Sequence, residues 1–161
     1  MLTEIRFDQP CPAAHKDDRL DAAKTIKDTI GNVVGNPLGI ALGMSGRFED
    51  AVATLEAAAR MSGRHGLALV ALASVFGQWG KRSEAIALHR ELMDRASREY
   101  VSASHLALTA EAAGDHEEAM AFVRRAWDER DPAFILWGRH FPPYRALHSD
   151  PRFAAILREM E

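Results

Sequence analysis

Seven histidines and one cysteine are the side chains best suited to metal or covalent chemistry in this 161-residue chain. The histidines lie at positions 15, 65, 89, 105, 116, 140 and 148. No two of them have the i, i+4 spacing of a helical zinc site with a third ligand nearby. Cys11 lies between two prolines in a segment without helical periodicity, where a thiolate lacks a fixed base and an oxyanion hole. The sequence therefore predicts neither a metal centre nor a nucleophilic site.

The glycines, acidic pairs and basic pairs are also poor candidates for catalysis or phosphate binding. Segment 31–39 is rich in glycine but lacks the Lys-Ser/Thr pair that binds phosphate and Mg²⁺ in a P-loop. Asp17 and Asp18 are adjacent and would project from different sides of a helix. The pair Arg124-Arg125 is too short a basic run to attract nucleic acid. We predict no catalytic residue and no cofactor, so we expect a protein that is not an enzyme.

Structural roles are expected for two histidines and for the three tryptophans. His89 falls at an apolar position of a predicted helix, so we expect it to pack in the core. His116 and two acidic neighbours begin another predicted helix, where the acids suit the helix dipole and the first turn should be solvated. The tryptophans lie at positions 79, 127 and 137. We expect them to anchor the core or the ends of the fold.

Composition favours a helical protein that binds neither nucleic acid nor membrane. Lys and Arg number 20 and Asp and Glu 23, so the net charge of −3 gives no basic footprint for nucleic acid. The 28 alanines exceed the 19 valines, isoleucines and threonines together, which favours helices over strands. A single cysteine permits no intramolecular disulfide, and the first thirty residues lack the apolar run of a signal peptide. We therefore expect a cytoplasmic location.

Three segments of the chain repeat at an interval of 34 residues. They are GRFEDAVATLEAAAR from Gly46, GKRSEAIALHRELMD from Gly80 and GDHEEAMAFVRRAWD from Gly114. Two further columns of small residues share the interval, namely Gly39, Ala73 and Ala107, and Ala51, Ala85 and Ala119. Small side chains let paired helices approach closely, and a glycine between helices can take a positive φ in a tight turn. The pattern predicts repeated helical hairpins.

The 34-residue unit resembles the tetratricopeptide repeat (TPR) family, whose repeat folds as helix, turn, helix. The resemblance implies an all-α, right-handed solenoid of three repeats, over residues 32–65, 66–99 and 100–133. Residues 1–31 would then form an N-terminal arm and a capping helix, and residues 134–161 a C-terminal capping segment. The proline that usually ends the second helix is absent from the first two repeats, and Pro132 is one residue late in the third.

The two ends of the predicted solenoid have different patterns. Asn36-Pro37 is typical of an N-cap and a helix start, so we predict a loop over 31–35. This interpretation is preferred to a close helix contact through the glycines that recur every four residues from Gly31 to Gly43. At the other end, Asp150-Pro151 predicts the start of a last helix. Its apolar face would comprise Phe153, Ile156, Leu157 and Met160, after an apolar cluster of Phe134, Ile135, Leu136, Trp137, Phe141 and Tyr144.

The family binds partners on its concave side, and this implies a set of candidate groove residues. They are Ile40, Met44, Leu67, Val70, Ser74, Gln78, Val101, Ser104, Leu108 and Glu111. Such an apolar floor suits an extended or helical apolar peptide, although part of the set could instead be core or be covered by the N-terminal arm. The positions of the family's carboxylate clamp for chaperone tails offer no cation; they correspond to Asn36, Ile40, Ala71, Ser104 and Leu108.

The predicted function is therefore that of a non-catalytic scaffold or adaptor that binds a protein or peptide of unknown identity. Roughly residues 99–160 are also similar to the closing part of TPR segments in bacterial signalling proteins. That similarity implies an alternative role as a regulatory or sensory module of a signalling enzyme or transcription regulator. A homodimer is a further alternative, because the short first repeat would leave apolar surface open.

Overall fold

The computed structural model describes residues 35–160, and all regular structure in that range is helical. The α-helices are α1 (Asn36–Met44), α2 (Phe48–Met61), α3 (Gly66–Trp79), α4 (Arg82–Ala96), α5 (Ala103–Ala113), α6 (His116–Asp128), α7 (Pro132–Trp137) and α8 (Pro151–Glu159). A 3-10 helix, Pro142–Ser149, lies between α7 and α8. The all-α prediction is confirmed, whereas the predicted arm and helix within 1–31 lie outside the described residues.

Short turns that contain glycine connect the helices of the first three hairpins. Gly46, Gly80 and Gly114 have φ angles of +76°, +79° and +83°. Only glycine adopts this left-handed conformation without strain. The predicted positive φ at the repeated glycine is therefore confirmed in all three turns, and the turns bring α1, α3 and α5 back against α2, α4 and α6.

Small residues lie where the paired helices are closest. A Cβ atom on Gly39 would clash with Cγ of Leu55, so no larger residue fits there without displacing the Leu55 side chain. The other members of the two columns are fully buried; they are Ala51, Ala73, Ala85, Ala107 and Ala119. Repeated small residues thus permit the same close approach in each hairpin.

Helix α1 differs from the prediction at its beginning. Gly35 has helical φ and ψ angles of −69° and −42°, so the predicted loop is wrong at this residue. Asn36 is the first residue of α1 and not its N-cap, while Pro37 lies in the first turn as expected. A Cβ on Gly35 would lie 2.5 Å from Ala58, and one on Gly43 would lie 2.8 Å from Val75. The glycines therefore make the close helix contacts that the N-cap interpretation set aside.

The hairpins pack in chain order. Helix α3 contacts α1, α2, α4 and α5, and α5 in turn contacts α3, α4 and α6. The first helices α1, α3 and α5 thus contact one another in succession, and we call them the first-helix layer. Helices α2, α4 and α6 form the second-helix layer. Within residues 35–160, no helix combines the length and the apolar character needed to cross a bilayer.

The C-terminal segment (α7, the 3-10 helix and α8) closes the end of the fold. Its core is an aromatic cluster in which the ring centroids of Phe134 and Tyr144 are 5.7 Å apart, and those of Tyr144 and Phe153 5.8 Å apart. Asp150 accepts a hydrogen bond from the N–H of Arg152, which confirms the predicted cap of α8. The apolar face of that helix is also confirmed, because Phe153 and Ile156 are buried.

Part of the predicted apolar cluster before α8 is exposed. Ile135, Leu136 and Trp137 are exposed, and Trp137 is 57% exposed. The short helix α7 directs Phe134 into the core, and three consecutive residues of a helix cannot share that side. Trp137 is therefore not a core anchor, in contrast to Trp79, which stacks on Phe48.

Candidate binding surface

The two helix layers differ in charge. Helices α1, α3 and α5 contain one carboxylate, Glu111, and no lysine or arginine. Helices α2, α4 and α6 together contain fifteen charged residues. A charge resists removal from water unless it is paired. Because Glu111 is paired with His116, the first-helix layer can be covered at little electrostatic cost.

Two open cavities lie between the first-helix layer and the C-terminal segment. The large cavity has a volume of about 710 Å³ and the small cavity about 430 Å³. Both are lined by Met44, Leu108 and Pro142, so they are neighbouring parts of one depression, which we call the groove. Each volume falls in the range of small-molecule and side-chain binding sites.

The small cavity is lined mainly by apolar side chains. Ile40 and Leu67 of the first-helix layer line it together with Trp137 and Phe141 of the C-terminal segment. His105 also lines it, but burial lowers the pKa of His105 to about 4, so the imidazole is neutral near pH 7. Of the described residues that line this cavity, none is charged at neutral pH.

The large cavity carries the charges of the groove. Arg82 donates from Nε to the carbonyl oxygen of Ala113 at 3.0 Å, so its guanidinium neutralises the C-terminal end of α5. Glu111 lies 2.8 Å from Nδ1 of His116 through Oε2. The remaining cation, Arg145, is exposed on the 3-10 helix.

Eight of the ten predicted groove residues line one cavity or the other. They are Ile40, Met44, Leu67, Ser74, Gln78, Ser104, Leu108 and Glu111. Ser104 and Leu108 contribute little open surface, because the 3-10 helix packs against α5. Met44 is the most accessible of the apolar members, with 51% of its surface exposed.

Two predicted groove residues are not part of the groove. Val70 is 0% exposed because α3 packs against four other helices, which bury residues 68–75 on every side. Val101 lies before the start of α5, is half-buried against the core and lines neither cavity. Of these two residues, which the family resemblance implied, Val70 is thus part of the core and Val101 lies outside both cavities.

The sequence interpretation missed the wall that the C-terminal segment contributes. Trp137, Phe141, Pro142 and Arg145 all line the groove, although the resemblance implied groove residues only on the repeats. A signal was present, since the unusual Pro142-Pro143 pair follows a run of large apolar residues. The sequence could not show that Trp137 and Phe141 line a cavity with residues of α1, because this depends on how the C-terminal segment packs.

His116 holds the C-terminal segment in place while 40% of its side chain stays exposed, which agrees with the predicted solvated first turn of α6. Nδ1 of its ring lies 2.8 Å from Oε2 of Glu111, and Nε2 lies 2.9 Å from Oδ2 of Asp150. The pKa of His116 is raised, first by the hydrogen bond to Asp150 and then by that to Glu111. Arg152 extends the network, because it pairs with both Asp150 and Glu117.

Asp131 and His89 make the other polar links inside the fold. Asp131 caps α7 by accepting from the N–H of Ala133, and its second oxygen accepts from the Ser102 hydroxyl and the N–H of Ser104. His89 is buried beside Thr109, which confirms its predicted packing role. No group of His, Cys, Asp and Glu within residues 35–160 could hold a metal ion. Cys11 lies outside the described residues.

Comparison with known proteins provides no relative for this chain. No protein-family model, no curated protein and no solved structure matches it. The TPR resemblance therefore depends on the 34-residue interval, and a function has to be inferred from the groove itself.

Proposed function

We propose that the protein is a TPR-type solenoid that binds a segment of another protein in its groove, as a non-catalytic scaffold or adaptor. Three observations support the TPR arrangement. The glycine turns recur every 34 residues, each hairpin contacts the next, and small residues occupy the same place in each helix pair. The right-handed course of the solenoid is part of the proposal.

The first-helix layer, whose one charged residue is Glu111, lies beside an open groove, and this is the observation that carries the binding function. Covering apolar surface contributes roughly 25 cal/mol per Å², and no charge of the small cavity has to lose its hydration. Packed helices also hold the groove in shape before a ligand arrives, so the receptor loses little conformational freedom on binding. Met44 and Trp137 are large exposed side chains that both line the small cavity.

Selection of peptides from a random display library tests this proposal. Peptides enriched on the wild-type protein are synthesised, and their affinities are measured by fluorescence anisotropy with wild type and with M44D. We expect M44D to weaken binding at least about tenfold, which corresponds to 1.4 kcal/mol, because it places a carboxylate between the two cavities.

The matched control is M93D on α4, because Met93 is also exposed but lies in the second-helix layer. This variant should bind as wild type does, and circular dichroism should report the same helix content for all three proteins. Peptides that bind M44D and M93D equally well would show that the groove is not the binding surface.

A further inference from the structure

Arg145 is a cation of the groove, and no described residue pairs with its charge. It lies on the 3-10 helix, lines the large cavity and is exposed. It has no hydrogen bond or ion pair with any residue in the described range 35–160. The other arginine of this cavity, Arg82, is engaged by the carbonyl oxygens of Ala113 and Gly114.

The acidic residue of the same cavity does not neutralise Arg145. Glu111 is the carboxylate of the described residues that line the large cavity, and its Oε2 atom lies 2.8 Å from the ring of His116. His116 in turn meets Asp150, whose carboxylate is also paired with Arg152. The other charges around the cavity therefore have partners of their own, and a positive charge is left at Arg145.

The two halves of the groove thus offer different chemistry next to each other. The small cavity is apolar, with aromatic walls from Trp137 and Phe141 and a neutral imidazole from His105. The large cavity shares Met44, Leu108 and Pro142 with the small one and is also lined by Arg145. A ligand that lies along the groove meets both environments within a few residues of its own chain.

We infer that the groove selects peptide segments in which a bulky apolar side chain is followed or preceded, within a few residues, by an Asp or Glu. The apolar side chain fills the small cavity and the carboxylate pairs with Arg145. This inference rests on the proposed function and specifies its partner class. The cation comes from the C-terminal segment and not from the positions that correspond to the family's carboxylate clamp.

The chemistry of arginine supports a preference for a side-chain carboxylate. A planar guanidinium can form two parallel hydrogen bonds to a carboxylate, which gives directional selection that a lysine would not provide. Because exposed ion pairs contribute modestly, the apolar side chain should supply most of the affinity and Arg145 the sequence preference. Loss of the pair alone should weaken binding by roughly twofold to fivefold.

The test selects random 12-residue peptides in parallel on wild type, R145E and R158E. Arg158 is the matched control, because it is an exposed arginine of α8 that lines neither cavity. We expect the wild-type and R158E pools to be enriched in Asp or Glu near a Trp, Phe, Leu, Ile or Met. The R145E pool should exchange the acid for Lys or Arg. A synthetic peptide from the wild-type pool should bind R145E more weakly than it binds the wild-type protein. The same peptide with Asp replaced by Lys should bind R145E more tightly than it binds the wild-type protein.

Failure of the inference can be distinguished from failure of the proposed function. Suppose that all three pools yield the same apolar peptides without an enriched acid, and that M44D weakens the binding of these peptides. This result would overturn the inference and leave groove binding intact. Peptides whose binding is insensitive to M44D would overturn both the inference and the proposed function.

Two further measurements test other occupants of the groove. If a synthetic peptide of residues 1–34 displaces the selected peptides at equal concentration, the occupant is the chain's own N-terminal segment. If the selected peptides dissociate a dimer in sedimentation, the occupant is a second copy. Either result overturns the inference of a separate partner.

Discussion

His116 lies between Glu111 of α5 and Asp150 at the cap of α8, and both carboxylates favour the protonated ring. Each ring nitrogen has an oxygen acceptor within 2.9 Å, so the ring satisfies both only when both nitrogens carry protons. The positive ring then separates Glu111 from Asp150, which would otherwise repel each other. A single side chain thereby connects α5, α6 and the cap of α8.

The stability of the protein should consequently fall as the pH rises above neutrality. The pKa of His116 in the folded protein is raised above its ordinary value of 6.5. Its contribution is therefore complete below pH 6.5 and is lost as the pH passes through the raised value. We expect a decrease in the free energy of unfolding of less than about 1 kcal/mol, because the ring is partly exposed. Urea denaturation at a series of pH values measures it.

H116Q provides the variant for this prediction and H140Q its control, because His140 is exposed and lies outside the network. H116Q should have a flatter pH dependence above pH 6.5, whereas H140Q should follow wild type. If stability falls with pH in H116Q as steeply as in wild type, the His116 ring is not protonated in the folded protein.

Asp150 affects stability on the acid side. The pKa of Asp150 is lowered, mainly by Arg152, so its stabilisation is lost as the pH falls below the ordinary aspartate value.

Residue type alone predicted some of these sites and not others. The repeated Gly46, Gly80 and Gly114 could be assigned because a positive φ restricts the residue directly. The role of His116 could not be predicted, because its partner Asp150 is 34 residues away and approaches only when α8 packs on α6. Arg145 was missed for the same reason, since its significance depends on which helices surround it.

At the scale of elements, the C-terminal segment is both an end cap and a wall of the groove. Its aromatic cluster packs against the last hairpin, and its outer residues Trp137 and Phe141 face the small cavity. Asp131 connects the segment to the start of α5 through Ser102 and Ser104. The position of the wall therefore depends on how firmly α7 is fixed to α5.

Substitution D131A should destabilise the protein by more than the loss of an ordinary helix cap. An N-cap is typically worth about 1 kcal/mol, and here the same carboxylate also accepts from Ser102 and Ser104. We expect a loss of about 2–3 kcal/mol in the free energy of unfolding, because buried donors lose their acceptor.

The matched control for this prediction is D115A. Asp115 caps α6 by accepting from the N–H of Glu118, and it is exposed. Equilibrium unfolding in urea should therefore give a loss of about 1 kcal/mol for D115A. Equal losses in the two variants would mean that the serine contacts contribute nothing to the attachment of α7.

Elements with a strong local signal could be predicted from the sequence, and elements defined by packing could not. Helix α8 was identified because Asp150-Pro151 marks its start and the apolar residues share one face. Segment 31–35 was assigned to a loop because a proline signal outweighed the glycine spacing, yet Gly35 is helical and packs on Ala58. Close approach of α1 to two other helices decided that conformation, and it is a tertiary effect.

Over the described hairpins, the distribution of charge follows the packing, because nearly all charged helix residues belong to the second-helix layer. The 34-residue interval was sufficient to predict hairpins in which small residues pack together, and the charges then fall on the second-helix layer. The groove itself was only partly predictable, because part of its wall belongs to a segment outside the repeats. Met44 of α1, Leu108 of α5 and Pro142 of the C-terminal segment line both cavities.

Trp137 should report occupation of this groove in the intact protein. It is 57% exposed and lines the small cavity, whereas Trp79 stacks on Phe48 and Trp127 donates to Glu159. In the double variant W79F/W127F, Trp137 is the reporter, and acrylamide should quench it efficiently. Saturation with a selected peptide should shift its emission to the blue and lower the quenching constant at least about twofold, because a bound apolar side chain excludes the quencher and water.

The same reporter distinguishes a ligand from a second copy of the chain. If two copies cover each other's exposed Leu136 and Trp137, quenching of the free protein should decrease as its concentration rises, with a matching increase in sedimentation coefficient. A groove that is open in a monomer gives quenching that is independent of protein concentration and sensitive only to peptide.

M44D is the control for this measurement. Because M44D removes the peptide effect but leaves Trp137 exposed, the quenching of Trp137 in M44D should stay at the unliganded value throughout a titration. Protection of Trp137 by peptide in M44D would place the peptide elsewhere on the C-terminal segment.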